Sequence, residues 1–313
     1  MAEHPQSYET TKIIINLIKS VVPLTGPVTI ERVLEGVSTE VYRLRRLDEI
    51  FYLRILPELD ASFAPEVYVH TLLRGYGVRV PEVIYFEHAH PALQRSVMIT
   101  TEIAGQAIGY GAHAYDVRPI IRQAGRELAR INAIQVNGFG WIKRDKLLVN
   151  QLQAEYTTYA EWLQQEFSEA LAVLEQRLAL TPRAIADVRL VLAEAVALFD
   201  SNSAVLAHGD FDVTHIYQYN GQYTGIIDFG EIRGANQWYD LGHFQIENPA
   251  LLPVLLDGYA EMTDIPPDIM RRIQVTSLLI ATRRLGRRIA RSGEIYAPDA
   301  AAIMRLIQVL NPG

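Results

Sequence analysis

The hydrophobic pattern changes period repeatedly along the 313 residues. Apolar residues in 11–22 (TKIIINLIKSVV) recur at helical spacing and stop at Pro23, which predicts a helix. Three short runs with strand character follow at 28–34, 40–44 and 50–55, the last two joined by a charged turn. Residues 64–76 return to helical spacing and end at Gly77, and extended runs resume at 80–86 and 96–103. Beyond Gly109 the pattern is mainly helical, with apolar residues at i, i+3, i+4 through 117–133, 155–179, 184–199, 249–262, 267–290 and 299–310. Residues 204–229 interrupt it, reading as strand, polar loop, strand, turn, strand. Asn220-Gly221 marks the turn, because both residues accept positive φ. The expected fold class is therefore α+β in two domains: a small β-rich lobe over 1–104 and a larger, mainly helical lobe over 105–313, with a hinge near 103–109.

Composition narrows the partners. A net charge of −7 leaves no broadly basic face for nucleic acid. Cysteine is absent, which rules out disulfides and thiolate metal sites and fits a reducing cytoplasm. The first residues, MAEHPQSYETTK, lack the basic-then-apolar order of a secretory leader, and no apolar run reaches bilayer length. A cytoplasmic protein without membrane or nucleic-acid partners is the expectation.

Chemistry concentrates in the interruption. His208-Gly209-Asp210 leaves one strand, His215 opens the next five residues after Asp210, and Asp228 ends the third in Ile226-Ile227-Asp228-Phe229-Gly230. Two carboxylates and an imidazole thus converge at one end of a short sheet. Phosphoryl transfer needs such a set: a carboxylate to orient a hydroxyl, and ligands for the cation that neutralises phosphates.

The stretch 206–244, LAHGDFDVTHIYQYNGQYTGIIDFGEIRGANQWYDLGHF, resembles the aminoglycoside phosphotransferase and choline kinase-like family, whose fold is that of the protein kinases. The resemblance implies a bilobal protein kinase-like fold with Asp210 as catalytic base. It also implies His215 and Asp228 as ligands of Mg2+, with Asp240 bracing the catalytic loop. Most of the family carries Asn where this chain has His215. Magnesium prefers oxygen, but histidine there is similar to the aminoglycoside 2″- and macrolide 2′-kinase branches. A hydrogen-bonded loop histidine without metal contact is the competing reading.

In the first lobe, Gly36-Val37-Ser38 lies where a phosphate-covering turn belongs, with Ser38 its candidate contact. Arg54 takes the strand position of the phosphate-binding cation, Glu66 is its expected partner, and Thr101-Glu102-Ile103 matches the hinge that meets the nucleotide base. The implied activity is transfer of a phosphoryl group from ATP or GTP to a hydroxyl of a small-molecule acceptor, an aminoglycoside or related antibiotic first. A metabolic kinase for an amino alcohol or sugar, and an inactive kinase-like binder, are the alternatives. Arg283, Arg284, Arg287, Arg288 and Arg291 spread over more than one helical face and read as solvated or internally paired. Glu231, Glu247 and Glu261 read as solvated acids rather than acceptor contacts.

Overall fold

A computed structural model describes residues 5–21, 28–33, 39–47, 49–109, 114–145, 150–199 and 203–311. The chain divides into two compact units, Met1–Ala104 with Lys143–Asn150, and Gly105–Ile142 with Gln151–Gly313.

Unit 1 holds α1 (Pro5–Val21), β1 (Val28–Val33), β2 (Glu40–Arg46), β3 (Glu49–Ile55), α2 (Ala64–Gly75), β4 (Val83–Glu87) and β5 (Val97–Thr101). The strands form one antiparallel sheet in the order β1-β2-β3-β5-β4. Strand alternation decides which side chains meet. Leu44, Leu53, Ile55, Val97 and Ile99 pack against Ile14, Leu17 and Ile18 of α1, whose i, i+3, i+4 spacing makes one apolar stripe. Each such side chain contributes about 1.5–3 kcal/mol by leaving water. Arg54 lies between Leu53 and Ile55 and opposite Met98 in the ladder, so it points to the other face. There Leu56, Phe63 and Met98 form a second cluster.

Unit 2 contains β6 (Gln106–Ala107), α3 (Arg118–Ile131), β7 (Gln135–Val136), β8 (Phe139–Ile142), β9 (Ala154–Tyr156), α4 (Tyr159–Gln176) and α5 (Pro182–Phe199). It continues with β10 (Ala204–Ala207), β11 (Ile216–Tyr219), β12 (Gln222–Ile226), β13 (Arg233–Ala235), α6 (Tyr239–Glu247), α7 (Leu252–Ala260), α8 (Ile269–Ser292) and α9 (Ala297–Leu310). Helix α8 is its axis: Ile273, Leu278, Leu285 and Ile289 are buried where α4, α6 and α9 pack on it. Two small sheets, β7-β10-β13-β8-β9 and β12-β11-β6, carry the loop rich in carboxylates and histidines. The hairpin β11–β12 turns at Asn220 and Gly221, with φ of 50° and 74°.

The sequence pattern missed the two- to four-residue strands β6 to β9 and β13, and helix α6. The helical run expected over 155–179 instead opens as β9. Thr158 then starts α4 with a capping box, accepting from the Glu161 N–H while the Glu161 carboxylate accepts from the Thr158 N–H. No helix among the described residues is long and apolar enough to cross a membrane.

Candidate active site

Strand β10 is buried at all four positions, held between β7 and β13, and it ends by delivering His208 into a tight loop. His208 is fully buried. Its Nε2–H donates to the Ile227 carbonyl at 2.9 Å, which leaves Nδ1 to accept the Asp210 N–H at 3.3 Å. Burial holds its imidazole below the usual histidine range, with the nearby His215 adding to the effect. Gly209 follows at φ 94°, where a Cβ would run into the Glu231 carbonyl oxygen, so only glycine fits between His208 and Asp210. Asp240, fully buried at the start of α6, accepts the His208 N–H and the Gly209 N–H at 2.9 Å each. It also accepts from Asn132 Nδ2 at 3.0 Å. Helix α6 thus anchors the backbone of the loop.

Asp210 keeps its carboxylate half-exposed. Burial pushes its carboxyl up, but the hydrogen bond from His243, and the electrostatic influence of that ring and of the neighbouring His215 and His208, outweigh it. The net result lies well below the usual carboxylate range. His243 Nε2 is 3.1 Å from Asp210 Oδ1, and its Nδ1 is 3.2 Å from the Phe211 carbonyl oxygen. The sequence reading passed over this histidine, which lies 33 residues beyond Asp210. No periodic signal marked it, because the helix that sets it one turn after Asp240 is buried on all sides there.

His215 Nδ1 is 2.6 Å from the Asp210 carbonyl oxygen, an acceptor, so Nδ1 carries the proton and Nε2 presents its lone pair. That Nε2 is 3.8 Å from Asp228 Oδ2. Asp228 adopts the left-handed region, φ 65° and ψ 68°, and its carboxylate accepts from the Gly230 N–H at the start of a short 3-10 turn, Phe229–Glu231. Aspartate tolerates this conformation better than most residues. The turn leaves the carboxylate about half-exposed beside the bare imidazole nitrogen. Among the described residues no group of three or more His, Asp or Glu is arranged to hold a metal. The pair suits a magnesium ion whose other ligands are phosphate and water, the usual manner in which Mg2+ is held at phosphoryl-transfer sites.

Within unit 1, Arg54 pairs with the buried Glu66, and its guanidinium lies 5.2 Å from the centre of the Phe63 ring. Arg144, from the segment that returns to this unit, approaches Glu66 Oε2 at 3.8 Å. The Thr101 N–H donates to the Glu82 carbonyl and the Glu102 N–H to the Ile50 carbonyl, at 2.9 and 3.2 Å. The Glu102 carboxylate accepts from Arg43 and from the Tyr52 hydroxyl, both at 3.3 Å. Ile103 follows directly. Gly36, Val37 and Ser38 lie outside the described residues.

Most of the remaining charged candidates are engaged. Arg283 and Arg287 share Glu166, Arg284 pairs with Glu247 and Asp299, and Arg288 stacks on Tyr296. Glu231 pairs with Arg233, and Glu261 with Arg122 and Arg126. Arg233 is almost wholly buried, 4.3 Å from the centre of the Trp141 ring, with Nη1 donating to the Tyr239 hydroxyl. Trp141 also lines a cavity of about 600 Å³ in unit 2, with Tyr156, Glu166, Glu169, Arg287 and Arg291 among its walls.

Residues 29–272, more than half of the chain, match the model of the phosphotransferase enzyme family. No curated protein matches the chain. Among solved structures, a thermostable mutant of aminoglycoside phosphotransferase APH(4)-Ia in its apo form superposes with a TM-score of 0.69. It is 17% identical, with 95% of this chain and 99% of that one covered. A further variant of that mutant, in ternary complex with ADP and hygromycin B, gives 0.69 at 17% identity, covering 96% and 98%. The macrolide 2′-phosphotransferase MphH of Brachybacterium faecium gives 0.61 at 17% identity, covering 97% and 99%. These likenesses establish a protein kinase-like α+β fold.

Proposed function

Because the chain belongs to the phosphotransferase enzyme family, we propose that it moves the terminal phosphoryl group of ATP or GTP to a hydroxyl of a small molecule, with Asp210 as catalytic base. The observation that carries this is the convergence, on one loop and one hairpin, of an anchored ionised carboxylate with a bare imidazole nitrogen and a second carboxylate. Asp210, held below the ordinary carboxylate range, is a weak base toward an unreacted alcohol. It orients the hydroxyl and takes its proton late, once bond formation to phosphorus has made that proton acidic. Asp228 and His215 hold Mg2+, which when bound offsets the charge on the phosphate oxygens. Arg54, kept in place by Glu66, binds the α- and β-phosphates, and Ser38 remains a candidate phosphate contact on the strength of the sequence. The Thr101 and Glu102 amides are committed within unit 1, so base recognition falls to the carbonyls of this strand end and to Ile103.

For the acceptor, glycoside antibiotics come first, since the solved relatives named above are aminoglycoside and macrolide kinases. That would make the role one of resistance, exercised in the cytoplasm where the nucleotides are. The cavity beside Trp141 is the candidate acceptor pocket. Its aromatic walls suit a sugar ring, and Glu166 and Glu169 are balanced by Arg287 and Arg291.

The test is a mass-detected transfer assay with ATP or GTP and magnesium against aminoglycosides, macrolides, amino alcohols and sugars. On the acceptor that is modified, Asp210→Asn should lower turnover by about a hundredfold or more with nucleotide affinity retained. Parent-rate transfer by that variant would remove Asp210 as the base.

A further inference from the structure

We propose that His243 is a positioning residue for this transfer: from helix α6 it holds Oδ1 of Asp210 and leaves Oδ2 as the oxygen that receives the acceptor's proton. The inference rests on the phosphotransfer reading for its catalytic half and on geometry alone for its structural half.

Asp240 and His243 stand three residues apart on α6, so they share one helical face. Asp240 takes the backbone N–H groups of His208 and Gly209, while His243 reaches the next two residues, Asp210 through its carboxylate and Phe211 through its carbonyl. One turn of helix therefore holds four consecutive loop residues. The two grips differ in kind. Asp240 fixes the path of the backbone, whereas a half-exposed carboxylate would still rotate about χ1 and χ2 without a partner. His243 removes that freedom. It is almost fully buried, so water does not compete for its Nε2–H, and its short side chain has few rotamers to lose.

The two loop groups facing the ring call for a donor on each of its nitrogens, whereas Arg284 can only donate. On the loop, Asp210 Oδ1 and the Phe211 carbonyl oxygen are both acceptors. From α8, Arg284 Nη1 comes within 3.5 Å of Nε2 but carries no acceptor for the ring's proton. Glu247 of α6 and Asp299 of α9 draw that guanidinium toward themselves. The carboxylate is thus the acceptor that Nε2–H has. With Oδ1 occupied, the acceptor hydroxyl is left to Oδ2. The depressed Asp210 carboxyl is consistent with the same contact.

Two measurements test it. In the first, turnover of ATP with magnesium, with water as phosphoryl acceptor, is compared for His243→Leu and His243→Gln, each made in the parent and in Asp210→Asn. Acting through Asp210, His243→Leu should lower kcat about tenfold or more in the parent, with the KM for ATP changed less than about twofold. His243→Gln, which keeps an N–H donor at similar reach, should recover most of the loss. In the Asp210→Asn background His243→Leu should add less than about twofold. Equal losses in both backgrounds, or a parent-like kcat in His243→Leu, would overturn the proposal. In the second, nitrogen-15 spectra of labelled histidine should show the Nε2–H of His243 shifted in Asp210→Ala and unmoved in His215→Asn. A signal identical in parent and Asp210→Ala refutes the pairing. If the parent turns over neither ATP nor GTP, with water or with any acceptor of the panel, the phosphotransfer reading fails, and the spectra still decide the structural half. Should His243→Leu not fold, His243→Gln and the spectra decide.

Discussion

Replacing Asp240 by Asn isolates what the buried carboxylate does for the loop. The side chain has no exposure and serves three donors: the His208 and Asn132 groups at Oδ2 and the Gly209 N–H at Oδ1. An Asn side chain has one oxygen, able to accept two of them. Placed at Oδ2, it keeps His208 and Asn132 but turns its own NH2 toward the Gly209 N–H, donor against donor. Placed at Oδ1, it loses two partners instead. The better arrangement still weakens two bonds from charged to neutral and leaves a buried N–H unpaired. Hydrogen bonds to charged groups contribute about 1.5–3 kcal/mol and an orphaned buried donor costs about 1–3 kcal/mol, so the net loss should be about 3 kcal/mol. In a unit of about two hundred residues that lowers the melting temperature by roughly 6–12 °C. Differential scanning calorimetry, with urea unfolding followed by tryptophan fluorescence, reads the shift. A shift below about 2 °C for Asp240→Asn would mean that the loop does not depend on this carboxylate.

Arg54→Ala should raise the KM for nucleotide while altering kcat little, because its interaction exists in ground and transition states alike; unchanged affinity with lost turnover would contradict the assignment. Asp228→Asn should be far more damaging than His215→Asn in magnesium-dependent turnover, since Asn at 215 supplies an oxygen that magnesium prefers. Equal damage would reverse their ranking. Burial lowers the pKa of both His70 and His208. In each case the unfolded chain binds a proton below about pH 6.5 that the folded chain refuses. Stability is then full above that pH and falls as pH drops, by linkage. Melting temperature should decline on acidification below about 6.5, and His70→Asn should flatten the slope for unit 1; an unaltered slope would exclude His70 as a source.

What could be read before the structure follows from how local each signal is. Asn220-Gly221 needs only its own backbone preference, and both residues have positive φ. Strands β1, β2 and β3 advertise themselves by alternation, because one face is packed on α1. The loop chemistry was visible as a motif of short spacing, and the structure brings Asp210, His215 and Asp228 together. Helix α6 was not visible: Tyr239, Asp240, Leu241, Gly242, His243 and Phe244 are all buried, which erases the amphipathic period. His243 was hidden with it, since its meaning depends on a register set by Asp240. The left-handed Asp228 was equally silent, as an apolar strand running into Phe-Gly says nothing about φ. For α4 the cue existed: Thr158 followed by Glu161 is a start signal that apolar periodicity overran.

Unit 1 is assembled from two stretches of chain, for Lys143–Asn150 belongs with Met1–Ala104. The later stretch places Arg144 near Glu66 and supplies the carbonyl that accepts the Ser62 N–H at 2.7 Å. During synthesis the ribosome would therefore finish β5 long before this unit is complete. At about 5–20 residues per second the wait from residue 104 to 150 is roughly two to nine seconds, while Glu66 has Arg54 but lacks Arg144. A fragment cut after residue 104 would be frozen in that intermediate state, and a separately expressed first lobe needs residues 143–150 grafted back through a linker to present the same surroundings to Glu66.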